Sequence, residues 1–351
     1  MIALYVASTE PYLGKTLTCV TLGKHWQRKG LRVGYFKPLG VVSDSAEREA
    51  SDEDAGFVAR ELDLDTPPAQ LCPIMLGRQA CPLDEEAACG QIMEGYAAAS
   101  DRKDVVLVGG SGSFLSRGAA LGLAGPVVSE MLGAKILLVA RCESYLDVDS
   151  IVAARRAAGS RFLGVALNRV PARQRESVER EIVPCLDRLG VTVLGVLPDD
   201  PVLRSVSVQE LTKAIGGEML VGSNAADELI ENFVVGAMGV DSALRYFRQT
   251  PRKCVITGGD RSDVQLAALE TPTRCLILTG GFEPNPAVLG RAHDLAIPVV
   301  LVREDTLTTV SVIEQLLGRL RLRESKKIDH ALGEFESHLN LELLDSLLGL
   351  S

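Results

Sequence analysis

The sequence predicts an α/β chain in which a doubly wound, mostly parallel sheet domain is followed by a smaller α/β domain. Three observations carry this. Short apolar runs alternate with amphipathic stretches from end to end, beginning with a run at residues 2–7 and a helical pattern at 14–29. Several runs are apolar at every position, such as Ile136-Leu137-Leu138-Val139-Ala140, the mark of parallel strands buried on both faces. A length of 351 residues also exceeds what one hydrophobic core commonly organises.

The elements follow in order. After the first strand and helix come a strand at 32–36 and a helix at 54–62. Strands are predicted at 104–108, 135–140, 162–167 and 192–196, with helices at 148–158 and 175–189 separating the last three. Between 63 and 91 the prolines Pro67, Pro68, Pro73 and Pro82 break helical periodicity, so this stretch reads as a long substrate-side excursion. A helix at 208–215 closes the first domain (1–215), and Gly216-Gly217 marks the join. The second domain (216–324) begins with a strand at 218–221, then helices at 227–238 and 242–249, a strand at 253–257 and a helix at 263–269. Strands at 274–279 and 298–302, a helix between them and another from 309 complete it. The tail (325–351) carries Ile328, Leu332, Phe335, Leu339, Leu343, Leu344 and Leu347 at helical spacing, a face that either caps the second domain or covers a partner subunit.

Composition narrows the partners. Lys and Arg number 37 against 46 Asp and Glu, a formal net charge of −9, so a basic footprint for nucleic acid or anionic membrane is missing. Aromatic residues are 4%, too few for base-stacking platforms. The eight cysteines form no CxxC pair and only four histidines accompany them, which fits buried single thiols in a reducing compartment rather than disulfides or a zinc site. No basic n-region with a cleavage site opens the chain and no apolar run reaches membrane-spanning length. A cytoplasmic protein is expected.

The chemistry concentrates at the first strand–helix junction. Ser8-Thr9-Glu10-Pro11-Tyr12-Leu13-Gly14-Lys15-Thr16 follows a strand and opens a helix, the context of a P-loop. Gly14 lets the chain wrap a phosphate, and the amides of Lys15, Thr16 and Leu17 point at it from the helix N-terminus. Lys15 is placed to bridge the β- and γ-phosphates and Thr16 to ligate Mg²⁺, so a nucleotide phosphate with Mg²⁺ is expected here. The customary first glycine is replaced by Ser8 or Thr9. Lys37 closes the second strand at the sheet's carboxyl edge, where a charge can hold a phosphoryl group or an anionic substrate. Asp52-Glu53-Asp54 heads the next helix, serving either as dipole-favoured caps or as part of a metal shell.

Together, the G-K-T ending, Gly34-Tyr35-Phe36-Lys37-Pro38, Asp54-Ala55 and Gly164-Val165-Ala166-Leu167-Asn168-Arg169-Val170 resemble the dethiobiotin synthetase family. That resemblance implies Lys15 and Thr16 on phosphates and Mg²⁺, Lys37 on the reacting group, Asp54 on Mg²⁺, and Asn168 on adenine. The turn Gly195-Val196-Leu197-Pro198-Asp199 is similar to the family's second adenine-side loop, which brings in Pro198. Two departures stand out: Gly109 replaces the family's Glu metal ligand after the third strand, and Val41 replaces a substrate-facing Ser. Loss of a hard oxygen ligand weakens charge compensation for phosphoryl transfer.

In the second domain, Val255-Ile256-Thr257-Gly258-Gly259-Asp260-Arg261-Ser262-Asp263, with Cys275-Leu276-Ile277-Leu278-Thr279-Gly280-Gly281, resembles the DRTGG domain. Gly259, Asp260, Arg261 and Asp263 form either a ligand-facing loop or a purely structural strand–helix turn. The order of the two domains is similar to the N-terminal region of long bacterial phosphotransacetylases and to free-standing, cyanobacterial-type members. The resemblance implies an ATP- and Mg²⁺-binding protein, a weak ATPase or regulatory switch coupled to a regulatory, dimeric DRTGG domain with a small-molecule effector. The chain ends at Ser351 with no acetyl-transferring domain, so phosphotransacetylase activity is not expected. The alternatives are an ATP-dependent carboxylase-ligase of the dethiobiotin or cobyrinate-amidating type, favoured by Lys37 and opposed by Gly109 and Val41, and a non-catalytic dimeric metabolite sensor.

Overall fold

A computed structural model describes residues 1–41, 52–77, 84–318 and 325–350; Cys81 and Pro82 lie outside them. The chain forms two compact units, Met1–Asp199 with Arg321–Ser351, and Asp200–Leu320.

The first unit is built on β1 (Ile2–Ser8), β2 (Val33–Phe36), β5 (Val105–Gly109), β6 (Lys135–Ala140), β7 (Phe162–Val170) and β8 (Val193–Pro198). A small parallel pair, β3 (Leu39–Val41) with β4 (Ile74–Leu76), lies apart from that sheet. The main sheet has the order β2-β5-β1-β6-β7-β8 and every pairing is parallel. Its inner strands are buried along almost their whole length, as uninterrupted apolar runs require when helices cover both faces. The strand order reverses beside β1, which puts the carboxyl end of β1 at the switch point where sheets of this kind receive ligands. The helix α1 (Lys15–Arg28) follows β1, and α2 (Glu53–Glu61) follows the small strand β3.

The stretch read as an irregular excursion contains β4, the short helix Pro68–Leu71, and the start of a sixteen-residue helix, Glu85–Ser100, capped by the Asp84 carboxylate. The helix expected at 175–189 has a π turn at Val178–Ile182. Pro184 in the following turn has no N–H to give the carbonyl four residues back, which explains the break in α geometry.

The tail returns to the first unit. Helix Ser325–His338 packs on α1 and β8, burying Ile328, Leu332 and Phe335. The amide of Asn340 then donates to the Leu194 carbonyl at 2.7 Å. The apolar face therefore covers the back of α1 rather than the second domain.

The second unit has its own five-stranded sheet, built from β10 (Glu218–Val221), β12 (Asn232–Val235), β13 (Lys253–Gly258), β14 (Thr273–Thr279) and β15 (Val299–Leu301). A two-stranded ladder joins β9 (Val206–Ser207) to β11 (Leu229–Ile230). The order is β10-β15-β14-β13-β12, parallel except for β10. The expected helix at 227–238 is instead β11 and β12. Phe233-Val234-Val235 is a β-branched and aromatic run that pairs with Cys254-Val255-Ile256, and this long-range ladder overrides local spacing. The compact division also falls after Asp199, ahead of the join read at Gly216. Helix Val208–Ala214 explains the difference, since Val208, Leu211 and Ile215 share one core with Ile256, Ile277 and Val300.

No described helix is long and apolar enough to cross a membrane. Cys19, Cys72, Cys142, Cys254 and Cys275 are buried free thiols, while Cys89 and Cys185 are partly exposed.

Candidate functional site

Ser8 is the last residue of β1 and Lys15 the first of α1, so the intervening loop opens at the sheet's carboxyl edge. Gly14 takes the left-handed conformation (φ 93°) that the turn into α1 demands. No side chain caps α1 and no acid lies in its first turn. Among the other helices of this unit, α2 is capped by Asp52, Glu85–Ser100 by Asp84 and Tyr145–Ala158 by a Ser144–Asp147 capping box, whereas Gly125–Met131 starts uncapped like α1. An uncapped helix start behind a left-handed glycine leaves outward amides and a positive dipole end for an anion.

The Lys15 ammonium donates to Ser8 Oγ at 2.7 Å and to the Gly112 carbonyl at 3.0 Å. Burial lowers its pKa to about 8, and the neighbouring charge of Lys37 acts in the same direction. Ser8 in turn donates to the Glu10 carbonyl at 2.5 Å, and its own carbonyl accepts from the Phe114 amide at 2.8 Å. Thr16 is partly exposed, whereas the Leu17 side chain enters the core and offers the loop only its backbone.

Lys37 is buried at the end of β2, with Nζ 2.8 Å from both Asp52 Oδ1 and Asp54 Oδ2. Burial opposes its charge, but the two carboxylates outweigh that and hold its pKa above the ordinary lysine value. Asp52 also accepts from the amides of Ala55 and Val41, at 2.9 and 3.2 Å. The acidic cluster is therefore both cap and counter-ion. Thr16, and Asp54 through the oxygen that does not meet Lys37, are the hard oxygen donors that could take a divalent cation here. Mg²⁺ commonly takes one or two carboxylates beside substrate phosphates and keeps its waters, and this pair fits that pattern.

Position 109 explains itself sterically. A Cβ added to Gly109 would run into the phenolic oxygen of Tyr35 and approach its ring carbons at 3.0 and 3.1 Å. Tyr35 lies on β2 beside β5 and is buried. The ring fills the space a side chain at 109 would need.

Asn168 sits near the end of β7 with its carboxamide against the P-loop. Nδ2 donates to the Leu13 carbonyl at 2.8 Å and Oδ1 accepts from the Arg169 amide at 2.9 Å. Pro198 ends β8, paired in register with Val170, so it shares the carboxyl edge with Asn168.

In the second unit, Arg261 donates to Asp263 at 3.1 Å and to the Met238 carbonyl at 3.3 Å. Gly259 faces the Phe282 carbonyl so closely that a side chain there has no room. Gln265, fully buried, donates to the carbonyls of Gly258 and Gly259 at 2.8 and 3.0 Å. Asp260, Arg261 and Asp263 thus belong to a turn braced from below by Gln265.

Sequence reasoning missed Gly112 and Tyr35. The Gly110-Ser111-Gly112 run after β5 was a visible signal for the first; the second depends on β2 and β5 being neighbours.

Residues 3–207 match the AAA domain family, and residues 210–316 match the DRTGG domain. The chain is 26% identical over 377 residues to phosphate acetyltransferase of Nitratidesulfovibrio vulgaris, covering 98% of this chain and 51% of that protein. It is 24% identical over 364 residues to phosphate acetyltransferase of Synechocystis, covering 97% and 51%. The chain spans about half the length of the curated relatives it matches. Among solved structures, the CBS and DRTGG domains of the regulatory region of Clostridium perfringens pyrophosphatase align at 23% identity and a TM-score of 0.29, over 34% of this chain and 51% of that one.

Proposed function

The chain belongs to the AAA domain family and carries a DRTGG domain after it, and from that premise we propose that it binds ATP with Mg²⁺ at the P-loop, as a weak ATPase or regulatory switch. One observation carries the reading: α1 begins uncapped behind left-handed Gly14, with Lys15 beside it. The triphosphate takes the amides at the head of α1 and draws Lys15 from Ser8 and Gly112 onto its own oxygens. Thr16 and Asp54 hold the cation, which neutralises phosphate charge. The Pro198–Asp199 turn lies on the base side. The DRTGG domain is the regulatory half, a homodimer contact and the seat of a small-molecule effector.

Binding is favoured over group transfer by two features. Lys37 is already matched by two carboxylates, and Tyr35 stands where a second metal-binding carboxylate would come from. Both reduce the positive charge available to a transferring phosphoryl group. Titration calorimetry with ATP and Mg²⁺ tests the proposal. Wild-type protein should bind and Lys15→Ala should lose most of the affinity; equal heats from both would reject it.

A further inference from the structure

Three cationic side chains gather at the carboxyl edge of the first sheet, and their states differ. Lys37 is matched by two carboxylates, and Lys15 rests on Ser8 and the Gly112 carbonyl. The third, Arg117, is exposed, and among the described residues its guanidinium has no hydrogen-bond or ion-pair partner. The chain after β5 places it there. Phe114 is buried edge-on to Tyr5 of β1, ring centroids 6.0 Å apart, and its amide donates to the Ser8 carbonyl at 2.8 Å. This pins the loop to the start of the P-loop, and the next turn closes with the Arg117 amide on the Ser113 carbonyl at 3.0 Å. The Arg117 side chain is thereby laid back over Gly112, where an added Cβ would lie 2.7 Å from Nε and 3.2 Å from the arginine Cβ. Gly112 is also the residue whose carbonyl accepts from Lys15. One loop residue thus carries Lys15 on its carbonyl and Arg117 across its α-carbon. Burial first, then Lys37 and, to a smaller degree, Arg117 depress the Lys15 pKa, in keeping with that closeness.

Strand order gives the direction of a bound nucleotide. β6, β7 and β8 lie to one side of β1, and β5 and β2 to the other. With the base beside Pro198 on β8, the phosphate chain crosses the end of β1 and its last phosphate faces the loop after β5. We infer that Arg117 reads that terminal phosphate, its guanidinium closing on the γ-phosphate beside Lys15 and making the site prefer a triphosphate to a diphosphate. The inference rests on the P-loop being the nucleotide site, with the base on the β8 side. A guanidinium offers two parallel N–H donors that match a pair of phosphate oxygens. Lys37 must give up carboxylates before it can serve an anion. Arg117 has none to surrender, so its whole charge is free for the ligand.

Calorimetry on the full chain with Mg²⁺ and either ATP or ADP tests this. Wild-type protein should hold ATP the more tightly. Arg117→Ala should weaken ATP by roughly 10- to 100-fold, the worth of charge-assisted hydrogen bonds, and ADP by less than about threefold. Arg117→Lys keeps the charge without the planar fork, so its ATP affinity should fall between the two. Equal weakening of ATP and ADP overturns the inference, because a structural or long-range effect does not single out the last phosphate. Unchanged ATP binding overturns it as well. Wild-type protein that binds ATP and ADP alike would reject the inference and leave the nucleotide site standing. Binding of neither would reject the site itself, and this inference with it.

Discussion

The indole N–H of Trp26 donates to the Asp345 carboxylate at 2.7 Å, tying the P-loop helix to a residue 319 positions later. Lys29 pairs with the same carboxylate, and His25 Nε2 lies 3.3 Å from it. The latch grips α1 at the end opposite its N-terminus, so the tail steadies the helix that presents Lys15. Trp26 is fully buried, and removing its acceptor leaves an unpaired donor in the core. Asp345→Ala should therefore cost about 1–3 kcal/mol in urea unfolding.

The same carboxylate sets an acid limit. Burial alone would raise its pKa, but hydrogen bonds from Lys29, Trp26 and His25 outweigh this and lower it. A carboxylate with a depressed folded pKa stabilises above the unfolded value, near pH 4, and that stability is lost as pH falls through the folded pKa. Asp345→Asn should flatten the stability profile in that acid range and lower the plateau above it. An unchanged acid limb would show that Asp345 contributes nothing to it.

Much of the first unit was legible because its strands announce themselves locally. Residues 105–108 and 136–140 are apolar at every position, and each became an inner strand of the sheet. Gly14-Lys15-Thr16 likewise carries its own conformation. What was not legible depends on neighbours distant in sequence. The stripe Ile328, Leu332, Phe335 revealed a buried face but not that α1 would cover it. Asn232 to Val235 became a strand because β13 offered a ladder, and Gly109 required knowledge of where the Tyr35 ring falls.

That steric relationship gives a second test. Gly109→Ala should destabilise by about 1–3 kcal/mol, because the added methyl meets the Tyr35 phenol in a packed core. Tyr35→Phe removes the closest atom but leaves ring carbons at 3.0 and 3.1 Å, so it should relieve only part of that cost. Denaturant unfolding of the two single variants and the double variant gives the coupling, and strictly additive effects would rule out the contact.

Lys37 offers a third. Its ammonium is buried between Asp52 and Asp54, and Asp52 is itself buried. Lys37→Ala should cost about 3–5 kcal/mol, since it strands a buried carboxylate beside a second one. Adding Asp52→Asn should recover part of this loss in the same unfolding measurement. Were Lys37→Ala as stable as wild type, the cluster would not be a structural ion pair.

At the proposed nucleotide site, Lys15 should couple binding to protons. In the ligand-free protein its pKa is lowered to about 8, chiefly by burial. Phosphate oxygens beside the ammonium favour its charged form and raise that value. Below pH 8 the lysine is charged with or without nucleotide, so affinity should be nearly flat there. Above pH 8 binding must first recharge it, so affinity should fall by up to tenfold per pH unit. Calorimetry near pH 9 in buffers of different ionisation enthalpy should record uptake of close to one proton, against little near pH 7. The free protein should show the complementary effect. A lysine with a depressed folded pKa destabilises while charged, and that penalty fades as pH rises from 8 toward the unfolded value near 10.4. Lys15→Met should thus raise the melting temperature at neutral pH while abolishing nucleotide binding, trading the site's function for stability. A melting temperature that falls instead would mean that the hydrogen bonds to Ser8 and Gly112 outweigh the cost of burying the charge.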